Sequence, residues 1–445
     1  MKSGIPPDIT GETNRIDIGE NFGRVMAMKI QGVRLYGVKD IRLEEFELPE
    51  IEEDEILLKI ICNGIAMSTL KEITLAQRHL RVPKNIRKKP ILIGHEFSGV
   101  IEKVGKRWEN EYHQGEKYVI VPEIPNQIES PGYSYEYFGG AATYCIIPGD
   151  VIEKGCLLHY EGDSFYEPAM AQALYSIVGS FHSNYHSKPG SHEHISGIKE
   201  GGNTIIMGGC GPMGLMAIRY VLEMDKKPKR LVVTDTNQKR LEKARKLISV
   251  QEASRHGVEL YYINPAMVPD SATVLLAVTC EKGYDDVFVY APPKNVAEIG
   301  NRIMGMDGCM NIYAATADKR YRAGMNIYGS HYLKTKLIGS SGGLRSDMEE
   351  AIQLIHDKKI DVSMGISHIG GIDAIVDTTL YLKQMQGTKK IIYPQINMPL
   401  TAIEDFEKLG KQDPLFEKLA DACQRNQGFW NPEAEKILLE YYQVL

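Results

Sequence analysis

The chain has little of what marks a disulfide-built, membrane-spanning or nucleic-acid-binding protein. Its seven cysteines, Cys62, Cys145, Cys156, Cys210, Cys280, Cys309 and Cys423, are scattered and form no CxxC pair. That spacing excludes a compact four-cysteine zinc loop and suits the reduced thiols of a cytoplasm. No apolar run approaches the roughly 18 residues that a membrane span needs. The opening "MKSGIPPDITGETNRIDIG" has no apolar signal-peptide core and reads as a polar leader over residues 1–27. The formal net charge of −6 provides no long-range attraction to nucleic acid or to an anionic membrane, so neither is expected as a partner. No internal repeat is visible.

What is present suits a soluble globular protein of two domains. The 445 residues exceed one ordinary core, and 43% hydrophobic with 25% charged residues is an ordinary globular composition. From Met28 to about Pro148 the text is strand-like and turn-rich, as in "MKIQGVRLYG", "EILLKIICNG" and "GGAATYCIIP". A basic loop, "LAQRHLRVPKNIRKKP", interrupts it and reads most simply as a solvated surface. "EPAMAQALYSIVGSF" has helical spacing, and the polar stretch after it holds His182, His186, His192 and His194. Histidine-rich loops are usually exposed, so a metal role there is a minor expectation. From Asn203 the rhythm turns to alternating strand and helix, which predicts a parallel sheet covered on both faces. The text after about Met398 is amphipathic and helical.

Gly209-Cys210-Gly211-Pro212-Met213-Gly214 is a G-x-G-x-x-G between a hydrophobic strand and a helix. Gly209 permits the tight turn, Gly211 lets backbone approach a pyrophosphate, and Gly214 lets the helix pack close to the strand. The helix N-terminus offers free N–H groups to phosphate. Asp235 ends the next strand and would accept hydrogen bonds from an adenosine ribose while repelling a 2′-phosphate, which favours NAD(H) over NADP(H). Arg240, five residues on, weakens that preference.

A second motif is "GHEFSGVIEKVG", Gly94 to Gly105. Adjacent His95 and Glu96 in a buried strand need partners, and a metal is one. The plain alternative is a satisfied core histidine beside a salt-bridged glutamate. Here the chain resembles the medium-chain, zinc-type alcohol and polyol dehydrogenases. The G-H-E-x-x-G-x-x-x-x-V-G run, the strand "GGAATYCIIP" and the closing "ISHIGGIDAIVDTTLYLKQMQGTKKIIYP" carry the resemblance over about Met28 to Pro394.

That resemblance implies an α/β protein with a β-rich GroES-like catalytic domain and a Rossmann doubly wound parallel sheet. The expected segments are 28–195 for the catalytic domain, 196–345 for the nucleotide domain, 346–397 for a return to the catalytic domain and 398–445 for a helical extension. It also implies metal-assisted, NAD(P)-dependent hydride transfer between a ketose, or a ketose phosphate, and its polyol, in a homodimer or homotetramer. The implied metal ligands are His95, Glu96 and Glu167 of "YEPAM", holding zinc or else manganese, magnesium or cobalt. Ser68 falls on the proton-relay hydroxyl and Lys71 near the place of a relay histidine, while Thr69 replaces the usual aspartate.

One position departs from the family. "GIAMST" places Ala66 where the zinc-ligand cysteine is expected, and Cys62 is four residues too early to replace it. This keeps three further readings open: a metal-free reductase, a lyase or epimerase using bound NAD transiently, and a nucleotide-binding protein without turnover. If the substrate carries a phosphate, Arg78, His79, Arg81 and Lys84 of the basic loop are the candidates to bind it.

Overall fold

The computed structural model describes residues 26–314, 318 and 320–444, so the expected polar leader lies almost wholly outside it. The first half is built of antiparallel strands. Met26–Gly37 and Asp40–Pro49 form a hairpin, and Ile56–Ile65 pairs with Glu96–Val104, which pairs in turn with Lys117–Ile120. The short helix Met67–Leu75 follows directly on Ile56–Ile65.

The second half is a six-stranded parallel sheet. In chain order its strands are Asn203–Met207, Arg230–Thr234, Glu259–Ile263, Tyr284–Val289, Met304–Ile312 and Lys336–Gly339. Their spatial order is third, second, first, fourth, fifth, sixth, and every pairing is parallel. Asn203–Met207 is buried throughout, so its apolar run has no polar alternation. The order reverses between Asn203–Met207 and Tyr284–Val289. Such a switch point leaves a crevice at the carboxyl ends of the strands, where ligands bind in open α/β sheets.

The chain then returns to the first sheet. Lys389–Tyr393 pairs antiparallel with Ile56–Ile65, setting Lys390 opposite Ile65, and Ile366–Gly371 lies on its other side. The helix Tyr166–Ser183 is the spine between the two halves, with nearly all of its side chains buried. One continuous apolar core runs from Leu58 and Phe97 through Phe181 and Phe288 to Leu419 and Trp430. The helices Pro414–Arg425 and Pro432–Tyr441 join this core by their apolar faces.

Candidate active site

The glycine turn follows the strand Asn203–Met207, and the helix Pro212–Glu223 starts with Gly211 at its cap and Pro212 in its first turn. A Cβ on Gly214 would lie 2.1 Å from the Gly209 carbonyl oxygen, so only glycine lets the helix cross here. A Cβ on Gly209 would meet Ile206 and Val233 at 2.8 Å. Gly211 faces open space, with no atom within 4 Å of such a Cβ. Two glycines are therefore fixed by packing, and the third leaves a bare backbone surface that suits a pyrophosphate. Asp235 is buried, and its carboxylate accepts hydrogen bonds from the Cys210 and Asn237 amides at 3.3 and 2.9 Å. It ties the glycine turn to the end of the second strand. Met213 is half-buried on the new helix, and the Arg240 amide is capped by Asn237 at the start of the next one.

The second cluster lies where Ile56–Ile65, Met67–Leu75, Glu96–Val104 and Lys389–Tyr393 meet. The Ser68 hydroxyl is 3.0 Å from His95 Nε2. Burial, then the charges of Lys389 and Arg81, hold the His95 imidazole down to about 3, so it is neutral at physiological pH. Lys389 forms an ion pair with Glu96. Gly64 makes room for it, since a Cβ there would meet Glu96 Oε2 at 2.6 Å and Lys389 Cε at 3.3 Å.

Sequence reasoning missed two members of this cluster. Tyr133 comes from the "SPGYS" loop, where Gly132 has a φ of +70° and crosses the Gly94 backbone so closely that a Cβ would lie 2.1 Å from its carbonyl oxygen. The crossing lays Tyr133 against His95, with ring centroids 5.0 Å apart, while His79 stacks on Tyr133 at 5.3 Å. Ser68 hydrogen-bonds to the Tyr133 hydroxyl. Glu72, four residues after Ser68 and so on the same helix face, is fully buried, and among the described residues neither of its carboxyl oxygens has a hydrogen-bond partner. Burial alone pushes it well above the usual carboxylate range. The only advance signal was the spacing of Ser68 and Glu72.

The basic loop divides. Arg81 lies over the Tyr133 ring at 5.8 Å and 3.5 Å from Glu123. Arg81 and half-buried Lys71 are both near enough to His79 that, after burial, their charges lower its imidazole. Arg78 instead bonds back to the Thr74 carbonyl, and exposed Lys84 bonds to the Gln77 carbonyl.

The three expected metal ligands do not converge. Glu167 turns to Tyr160 and Ser164, which donate to it at 2.8 and 2.6 Å. Glu96 is committed to Lys389, and His95 Nε2 to Ser68. Among the described residues His95 Nδ1 has no hydrogen-bond partner, so it lacks there the carboxylate or carbonyl that normally orients a ligating imidazole. Ala66 supplies no thiolate, and among the described residues no group of three or more His, Cys, Asp or Glu side chains gathers to hold a metal. This donor set does not fit a divalent ion. The four histidines of that stretch have other duties: His182, in the last turn of the spine helix, pairs with Asp347, buried His186 beyond it lies 3.1 Å from Asp286, and His192 and His194 are exposed.

The fold and the glycine turn together define a medium-chain dehydrogenase. Residues 52–157 match the family described as Alcohol dehydrogenase GroES-like domain. The chain is 42% identical over 410 residues to a mannitol-1-phosphate 5-dehydrogenase of Aliivibrio fischeri, covering 92% of this chain and 97% of the relative. It is 38% identical over 411 residues to an L-sorbose 1-phosphate reductase of Klebsiella pneumoniae, with 92% and 97% covered. The crystal structure of 2R,3R-butanediol dehydrogenase from Bacillus subtilis shares the fold with a TM-score of 0.65 at 18% identity, covering 82% of this chain and 99% of that one. The chain belongs to the zinc-type medium-chain alcohol and polyol dehydrogenase family, and is an oxidoreductase of that family.

Proposed function

We propose that the protein reduces a ketose phosphate to its polyol phosphate, and catalyses the reverse oxidation, with a nicotinamide nucleotide. The observation that carries this reading is the placement of Arg81 and His79 beside Tyr133 and His95, next to a site whose relatives are named for mannitol 1-phosphate and L-sorbose 1-phosphate. A guanidinium matches a phosphate with two parallel hydrogen bonds, and a half-buried one does so with less competition from water. Arg78 and Lys84 are left out of this phosphate site because both side chains turn back onto their own backbone.

The glycine turn would hold the nucleotide through Gly209, Gly211, Pro212, Met213 and Gly214. Asp235 would meet the adenosine ribose, so NADH is favoured over NADPH despite Arg240. When bound, the nicotinamide supplies or accepts hydride. Ser68 and His95 orient the substrate oxygen by hydrogen bonding, and Lys71 adds positive charge on the phosphate side. No step is assigned to a metal, because the donor set does not fit one. The free thiols support a reducing compartment, and a cytoplasmic location with it.

The test is NADH and NADPH oxidation on L-sorbose 1-phosphate and on L-sorbose, before and after chelation, in wild type and in Arg81→Ala. Turnover should favour NADH, survive chelation and require the phosphate. Arg81→Ala should raise KM for the phosphorylated ketose about 10- to 100-fold, the worth of about 1.4–2.7 kcal/mol. No turnover on any phosphorylated ketose or polyol would end this reading.

A further inference from the structure

We infer that Glu123 is a specificity residue of the same site, accepting hydrogen bonds from the sugar hydroxyls beside the phosphate that Arg81 holds; this rests on the reductase reading above. Glu123 follows the strand Lys117–Ile120 of the first half. Its Oε1 lies 3.5 Å from Arg81 Nη2, with the Arg81 and Glu123 side chains 26% and 39% exposed. The Arg81 backbone is fixed on both sides. Its amide donates to His79 Nδ1 at 3.2 Å, and its carbonyl accepts from the Ser134 hydroxyl at 2.8 Å. Among the described residues the guanidinium donates no hydrogen bond and the Glu123 carboxylate accepts none. Both groups keep their hydrogen-bonding capacity for a ligand.

A second wall comes from the nucleotide half. The loop after Lys336–Gly339 leaves the carboxyl end of its strand, on the crevice side of the parallel sheet. Gly342 in that loop packs against the Glu123 carboxylate: a Cβ there would overlap Oε2 and lie 3.0 Å from the Tyr175 hydroxyl oxygen. Gly343 beside it is clamped on the spine helix, where a Cβ on Gly179 would lie 2.6 Å from the Gly343 Cα. Glu123 is therefore held between a glycine of one half and a guanidinium of the other.

Chemistry decides what a carboxylate can do there. A part-exposed ion pair at this distance adds little to stability, so the fold does not require it. Beside a phosphate site the carboxylate opposes binding, since it repels the phosphate and competes for the same guanidinium. Carboxylate and phosphate are both acceptors, so Glu123 can meet only the donors of the ligand. In a ketose phosphate or polyol phosphate those donors are the hydroxyls near the phosphate. Hydrogen bonds from hydroxyls to an ionised acceptor are among the stronger ones. Arg81 thus reads the phosphate and Glu123 the hydroxyls. A phosphate ester without hydroxyls meets the repulsion alone.

The test is calorimetric titration of the protein saturated with NADH, with D-mannitol 1-phosphate and ethyl phosphate as probes. Nucleotide and polyol are then both reduced, so no turnover disturbs the titration. Wild type should prefer the polyol phosphate. Glu123→Gln keeps the shape and removes the charge. It should bind ethyl phosphate about 3- to 10-fold more tightly, and its preference for the polyol phosphate should shrink at least about tenfold. A mere brace for Arg81 would behave differently, its loss weakening both probes together as Arg81→Ala should. Gly342→Ala keeps Glu123 and displaces its carboxylate, and should lower the preference in the same direction. Parallel weakening of both probes in Glu123→Gln, or a preference that it leaves unchanged, would overturn the proposal and leave the reductase reading standing. A wild type that binds neither probe sinks the sugar-phosphate reading, and this inference with it.

Discussion

At the scale of single residues, the glycine turn separates folding from binding. Gly214 and Gly211 belong to the same motif, yet a Cβ would meet backbone at 2.1 Å at Gly214 and nothing within 4 Å at Gly211. Gly214→Ala should therefore cost about 1–3 kcal/mol of stability through forced backbone movement, along with nucleotide affinity. Gly211→Ala should leave stability within about 0.5 kcal/mol and still weaken NADH binding by at least about tenfold, because its methyl would fill the phosphate surface. Urea unfolding and fluorescence titration of both variants check this. Equal destabilisation by the two would contradict it.

At the scale of elements, the carboxyl-terminal helices do more than cover the surface. Glu435 of the helix Pro432–Tyr441 is buried and accepts the Phe165 and Tyr166 amides at 2.6 and 2.9 Å, at the start of the spine helix. Tyr393 donates to the same carboxylate at 2.7 Å and accepts from Trp430 at 2.8 Å. A residue 269 positions away thus caps the helix Tyr166–Ser183, where free amides favour a negative charge. Burial outweighs those hydrogen bonds and pushes the Glu435 carboxyl up to about 7, from 4.5 in an unfolded chain. The native state then binds the proton more tightly than the unfolded one. Stability should be fully present below about 4.5 and be lost as pH rises through about 7, by about 3 kcal/mol in all. Glu435→Gln should flatten that dependence, read as urea midpoints on the two sides of neutrality. An unchanged slope would place the dependence elsewhere.

At the scale of the whole molecule, the six-stranded sheet ends on an edge strand. Among the described residues Lys336–Gly339 has a partner on one side only, and Leu337 on it is 56% exposed. Ile327, Tyr328, Tyr332 and Leu344 nearby in sequence are exposed as well. An open edge with exposed apolar side chains is a site for association, and it supports the expected homodimer or homotetramer. Leu337→Lys should shift the protein toward monomer in light scattering at micromolar concentration, with the thermal transition still cooperative. A monomeric wild type, or an unaffected oligomer, would count against this edge as the interface. Among the described residues no helix is long and apolar enough to cross a membrane.

What the sequence determined by itself was whatever depends on neighbours in the chain. The glycine turn was legible with its strand, helix and closing Asp235, because a dinucleotide fold writes all of them within one short segment. So was the strand-rich half, whereas the contact of Ser68 with His95 appeared only in the folded chain. Tertiary structure alone decided the fate of the charged groups. Whether Glu96 meets a metal or a cation depended on Lys389, 293 positions later in the numbering and brought back by a returning strand. Glu167 looked like a ligand in the linear text, but the first turn of its helix points it at Tyr160 and Ser164. Tyr133 had no motif to announce it, since its contact with His95 depends on a glycine crossing between distant loops. Local patterns fix backbone because hydrogen bonds and apolar periodicity act over a few residues. A buried charge takes its meaning from whichever partner the fold sets within a few ångströms of it, and that partner comes from anywhere in the chain.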